Sequence, residues 1–85
     1  MELVLTLQAK EDLAYWKKTN NSIVLKRIRK LIESIIEAPF EGLGKPEPLR
    51  YNLSGCWSRR INQEHRIIYE VAKDEIIILS LKGHY

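Results

Sequence analysis

Apolar residues recur along this chain in two rhythms, and the change of rhythm divides it in two. Residues 2–5, Glu-Leu-Val-Leu, read as a short opening strand. From Thr6 onward the spacing is helical: Ala9, Leu13 and Trp16 fall at i, i+4 and i+7, and Thr6 is placed to cap the helix. Thr19-Asn20-Asn21 reads as a turn, with Asn21 as cap of a second helix. There Val24, Ile28, Leu31, Ile32 and Ile35 form one stripe, while Lys26, Arg27, Arg29, Lys30 and Glu33 mostly face away. Pro39 ends this helix, because the residue before a proline avoids helical geometry.

Residues 39–48 break both rhythms. Two glycines and three prolines in that stretch imply a stiff, shaped loop with no regular structure. Three strand-like runs follow, at 56–61, 65–71 and 75–81. Branched and aromatic residues dominate the last two, with Lys73-Asp74 as the turn between them. The order strand, two helices, antiparallel meander predicts an α+β fold: an antiparallel sheet with both N-terminal helices packed on one face. With 85 residues there is chain for a single domain, residues 1–85.

Composition narrows the class. An apolar fraction of 45% and a charged fraction of 29% are ordinary for a globular protein. Charges at Glu2, Lys10, Glu11, Asp12, Lys17 and Lys18 interrupt any signal-peptide core, and no stretch approaches a membrane span. The single cysteine, Cys56, has no partner for an internal disulfide and no metal-spaced companions; it reads as a packing residue. Together these point to the cytoplasm, with no membrane association. The net charge of +3 is concentrated: Lys45, Arg50, Arg59, Arg60 and Arg66 stand against Glu47 and Glu64, leaving the rest of the chain neutral. Such a local cationic field suits a phosphate backbone, and equally describes a solvated face.

The candidate chemistry lies in and around that region. Glu47, between Pro46 and Pro48, has its backbone pinned on both sides, as a general base requires; a surface glutamate in a proline turn has the same sequence. Arg59, Arg60 and Arg66 lie on adjacent predicted strands, and a guanidinium fork matches phosphate oxygens. His84 is placed to act as a general acid and Tyr85 to stack on a base, although terminal residues usually fray. His65 points away from Arg66 in a regular strand and reads as packing or capping. Trp57 reads as core. No phosphate-binding glycine loop, paired cysteines or metal-spaced carboxylates appear, so no cofactor or metal is expected. Glutamate, arginine and histidine together suit metal-free RNA cleavage, in which the substrate's own 2′-hydroxyl is the nucleophile.

The run from Pro39 to Arg50, then Asn52-Leu53-Ser54-Gly55, Trp57-Ser58-Arg59-Arg60-Ile61, Glu64-His65-Arg66 and the closing His84-Tyr85, resembles the YoeB/Txe toxins of the RelE/ParE superfamily. The resemblance spans essentially the whole chain, including Tyr15-Trp16. It implies a microbial-ribonuclease-like, RelE-like fold and cleavage of messenger RNA in the ribosomal A site. It also implies neutralisation by a YefM/Axe-type antitoxin, contact with operator DNA only through the antitoxin complex, and homodimerisation as a further state. Carried over by position, Glu47 matches the general base, Arg66 the phosphate-stabilising arginine and His84 the general acid. Arg60 and Tyr85 match supporting positions, and Lys45, Arg50 and Arg59 from the cationic stretch are expected to join them in binding RNA. Arg50 stands where lysine is frequent, and Cys56 where an aromatic or small residue is frequent. A catalytically silent nucleic-acid-binding module or corepressor, and a gyrase-directed toxin, are the competing classes; neither needs the Glu/Arg/His set.

The triad carries a geometric requirement. Paired residues in an antiparallel ladder point to the same side, so Arg66 and His84 share a face only if paired residue numbers sum to an even value. An odd-length loop near Lys73, or a compensating bulge, satisfies this, and the odd loop is expected. A two-residue Lys73-Asp74 turn without a bulge would pair Arg66 with Leu81. The expected apolar row on the last strand is Ile77, Leu79 and Leu81.

Overall fold

The computed structural model describes residues 1–83; the expected site residues His84 and Tyr85 lie outside the described residues. Strand β1 (Glu2–Leu5) leads into helix α1 (Leu7–Lys18) and helix α2 (Ser22–Glu37). Both helices start where a side chain satisfies an orphan amide. Thr6 Oγ1 accepts from the Ala9 amide at 3.2 Å, and Asn21 Oδ1 accepts from the Val24 amide at 3.1 Å. The stripe read from the sequence is the buried one: Ala9 and Trp16 from α1, with Val24, Ile28, Leu31 and Ile35 from α2. Asp12 shares the buried side of α1, which helical spacing from Ala9 and Trp16 permits. Among the described residues no helix is long and apolar enough to cross a membrane.

Strands β2 (Glu47–Pro48), β3 (Cys56–Arg60), β4 (Arg66–Val71) and β5 (Glu75–Ser80) complete a five-stranded sheet ordered β1-β5-β4-β3-β2. The meander β3–β4–β5 is antiparallel as expected. Strand β1 pairs parallel to β5, so the sheet is mixed. The α1–α2 segment and the strands beyond it provide the long connection a parallel pair needs. Ile67, Tyr69, Ile76, Ile78 and Leu81 face the helices, and each is fully buried.

Two expectations are corrected. The 39–48 stretch is not wholly irregular, because Glu47 and Pro48 form an edge strand against Ser58 and Trp57. An edge is where a proline, lacking an N–H, is tolerated. The odd loop is also absent. The Ala72 amide donates to Glu75 O at 2.9 Å, closing a two-residue Lys73-Asp74 turn, and Tyr69 pairs with Ile78.

A bulge then changes the parity. Ile68 pairs with Ser80, leaving Leu79 as the extra residue. The two-residue turn has already set Ile76 and Ile78 in the core row by pairing Ile78 with Tyr69; the bulge brings Leu81 into its next place, and the expected Ile77–Leu79–Leu81 row does not form. The bulge is held in place from α1's cap residue. The Thr6 amide donates to Ile78 O and its hydroxyl to Leu79 O, each at 3.0 Å. Beyond the bulge the even-sum register holds at Ile68–Ser80, and the Arg66 amide donates to Gly83 O at 2.9 Å.

Candidate active site

The side of the sheet away from the helices carries the candidate chemistry. Cross-strand pairing aligns Glu47 with Ser58, Ser58 with Ile68, and Ile68 with Ser80, while Arg60 pairs with Arg66. Directly paired residues share a side, so Glu47, Ser58, Arg60 and Arg66 all belong to this helix-free face. Arg66 Nη1 lies 3.8 Å from Glu47 Oε2 and donates to Ser58 Oγ at 3.3 Å. Side-chain exposure is 53% for Glu47 and 24% for Arg66, so carboxylate and guanidinium meet at the surface with the arginine the better fixed. An ion pair this exposed adds only about 0–1 kcal/mol, so its partners separate at little cost.

Glu47 is aimed by the loop before it. That loop is pinned where Arg60 donates its amide to Gly44 O at 2.7 Å and Ser34 Oγ accepts the Leu43 amide at 3.2 Å. Gly44 has φ +87°, and a Cβ there would lie 2.7 Å from a Leu31 methyl and 3.1 Å from Arg59 Cβ. No other residue fits where the loop crosses α2 and β3 so closely. Past Glu47 a groove of about 510 Å³ is lined by residues 47–53, among them Arg50 and Tyr51. Tyr51 is 90% exposed with φ +60°, a strained backbone for a bulky residue. Lys45 and Arg50 are exposed beside this groove or on the loop leading to it. A second groove of about 410 Å³ lies in the helix layer between Leu13, Leu25 and Ile32, away from these charges.

Arg59 is not where an RNA contact requires it. It pairs with Ile67 on the helix side and is 0% exposed. Its Nε donates to Tyr69 Oη (3.0 Å), Nη1 to Ser34 Oγ (2.7 Å) and Leu43 O (3.1 Å), and Nη2 to Ala38 O (2.6 Å) and Glu41 O (2.9 Å). All donors of the fork are engaged. The role assigned to Arg59 is corrected accordingly: its guanidinium holds the loop that leads to Glu47 and has nothing left for phosphate. Trp57, on the same side, is half-buried against Phe40 with ring centroids 4.9 Å apart. Cys56 is buried, and burial, with a smaller contribution from Glu70, pushes its thiol up, which fits packing rather than nucleophilic work.

Arg60 is exposed on the same face as Arg66, and its carbonyl accepts from Arg27 Nη2 at 3.2 Å. The structure thus brings Glu47, Arg66 and Arg60 together, adds Ser58, which the sequence reading passed over, and removes Arg59. Period-two alternation was the signal for both changes: Trp57 and Arg59 fall on one side, Ser58 and Arg60 on the other. Among the described residues no three His, Cys, Asp or Glu side chains group to hold a metal ion.

Residues 5–85 match the family described as YoeB-like toxin of bacterial type II toxin–antitoxin system. Toxin YoeB of Escherichia coli (strain K12) is 47% identical over 85 residues, covering 100% of both chains. Two Staphylococcus aureus structures superpose on 100% of this chain and 98% of theirs. One is a YoeB dimer (TM-score 0.91, 43% identical), the other a YoeB–YefM complex (TM-score 0.89, 44% identical). The chain belongs to the YoeB-like toxins of type II toxin–antitoxin systems.

Proposed function

We propose that this toxin is a ribosome-dependent endoribonuclease that cleaves messenger RNA in the ribosomal A site and so stops translation. The observation that carries the reading is the Glu47 carboxylate held 3.8 Å from the Arg66 guanidinium on the open face of the sheet. Glu47 takes the proton of a 2′-hydroxyl, whose oxygen forms a bond to the adjacent phosphorus. Arg66 stabilises the charge that grows on the phosphate oxygens. The bond from phosphorus to the 5′-oxygen breaks, and His84 gives that oxygen a proton. The products are a 2′,3′-cyclic phosphate and a 5′-hydroxyl, with no metal required. Lys45, Arg50 and Arg60 hold the RNA backbone, and Tyr85 supports the reacting nucleotide.

The partner is a YefM/Axe-type antitoxin. Its binding covers the arginine face or displaces the His84-Tyr85 end, and operator DNA is met only through the complex. Primer extension on a translated message, with and without ribosomes, tests the reading. Cuts within the reading frame that need ribosomes, persist in a chelator that leaves the ribosomes intact, and end in cyclic phosphate are expected. Products with a 5′-phosphate and 3′-hydroxyl would mean a water nucleophile and sink the mechanism. No cleavage at all would favour the silent binding module.

A further inference from the structure

The last described residues are gripped one by one. Asp12 Oδ2 accepts the Leu81 amide and Trp16 Nε1 donates to Leu81 O, both at 2.9 Å. The Lys82 ammonium sits 3.9 Å from the centre of the Tyr15 ring. Gly83 is held from both sides: its amide donates to His65 Nδ1 and its carbonyl accepts from the Arg66 amide, each at 2.9 Å. A backbone N–H can only donate, so His65 Nδ1 carries no proton in this arrangement. The ring is oriented by the Trp16 indole, edge to face at 4.9 Å. Its backbone is fixed by Asn62 Oδ1, which accepts the His65 amide at 2.8 Å, and by the backbone amides of Ile61 and Asn62, which donate to His65 O at 3.0 and 3.3 Å.

We infer that His65 is a positioning residue: its unprotonated Nδ1 fixes Gly83 and thereby the backbone to which His84 is joined. The inference rests on the ribonuclease reading for its catalytic consequence, though not for the placement itself. The dipeptide His65-Arg66, at the entry to β4, divides the work between the two sides of the sheet. Arg66 points into the site, and His65 points to the core and holds the residue bonded to His84. Gly83 has φ +87°, and a Cβ there would meet nothing, so glycine serves the backbone turn and the grip comes from His65.

Two variants separate the acceptor from the ring. His65→Phe keeps a ring against Trp16 and removes the acceptor; His65→Asn removes the ring and puts Oδ1 in the place of Nδ1. For His65→Phe, exchange of the Gly83 amide, followed by NMR, should accelerate about tenfold. Its single-turnover cleavage at saturating ribosome–mRNA complex should fall about 10- to 100-fold, with the half-saturating concentration unchanged within about twofold. His65→Asn should keep both readouts within about threefold of wild type. Wild-type Gly83 protection in His65→Phe, or equal losses in both variants, would overturn the inference. So would a loss confined to half-saturation. If the wild-type chain leaves messenger RNA intact, the ribonuclease reading fails, and the exchange comparison alone decides whether His65 holds Gly83.

Discussion

The two segments that lead to the proposed acid and base are fastened in opposite ways. The loop before Glu47 is gathered chiefly by one buried guanidinium, Arg59 reaching Ala38, Glu41, Leu43, Ser34 and Tyr69, with single bonds from Arg60, Ser34 and Tyr69 beside it. The segment before His84 is held by contacts spread over Asp12, Tyr15, Trp16, His65 and Arg66. A loop rich in glycine and proline has few side chains of its own to bury, so one cation from β3 organises its carbonyls. A segment continuing from a strand already has Leu81 in the core and needs only local corrections. The concentrated arrangement should fail all at once, and the distributed one by degrees.

The sharpest way to break the comparison is Arg59→Ala. Its five acceptors would lose their donor beside a cavity, and a loss of about 3–5 kcal/mol in urea unfolding is expected. Arg59→Lys should recover little, because an ammonium cannot match a planar fork. A loss below about 1 kcal/mol for Arg59→Ala would mean the loop is organised by other contacts.

The next effect falls on rate rather than stability. Glu47→Ala should lower cleavage about 10²- to 10⁴-fold. Its stability should move by no more than about 1 kcal/mol, since Glu47 is exposed and its ion pair is 3.8 Å long. Growth arrest by Glu47→Ala at wild-type strength would remove Glu47 from the mechanism.

The uneven legibility of these two segments has a physical cause. Both helices, their caps and their buried stripe follow from side chains within a few residues of one another, and local spacing encodes them. The meander is local in the same sense. The bulge at Leu79 is not, because in a run of Ile, Ile, Ile and Leu every residue is equally apt for the core. What carries the core row past Leu79 to Leu81 is a bulge held by Thr6, more than seventy residues away in sequence. Asp12 could not be read as a buried acceptor for the same reason, since its partner amide is Leu81. Arg59 differs: with Trp57 placed in the core, alternation put Arg59 there too, and its charge drew attention to phosphate instead. Glu47 and Arg66 were legible as residue types, and their meeting depended on β2 pairing with β3.

The distributed segment should show graded losses. Asp12→Ala leaves the Leu81 amide buried without an acceptor and should cost about 1–3 kcal/mol. Asp12→Asn, which keeps an oxygen there, should cost less than about 1 kcal/mol. Trp16→Phe, which loses one hydrogen bond and part of an indole, should fall between them. If Asp12→Ala matched Arg59→Ala in thermal or urea unfolding, the distinction between the two fastenings would disappear.

The smallest effect joins the comparison to pH. Tyr69 stands between Arg59 and the loop: its hydroxyl donates to Pro39 O at 2.6 Å and accepts from Arg59 Nε at 3.0 Å. Burial pushes the Tyr69 hydroxyl up, and the hydrogen bond and charge of Arg59 only partly oppose it. A group whose pKa is raised by folding contributes its full stability while it is protonated in both states. For a tyrosine that means below about pH 10. Above that the unfolded chain ionises first, so stability falls until the pH passes the folded-state value. The Cys56 thiol is raised in the same direction, first by burial and then by Glu70, so its contribution to the decline begins lower, near pH 9. Urea unfolding from pH 8 to 11 should therefore lose stability in two overlapping steps. Tyr69→Phe should lower stability by about 0.5–1.5 kcal/mol at neutral pH, because the Pro39 carbonyl loses its donor. It should also flatten the decline above about pH 10, leaving the earlier Cys56 step in place. A Tyr69→Phe curve that falls as steeply as wild type above pH 10 would mean that ionisation of this hydroxyl is not what loosens the loop.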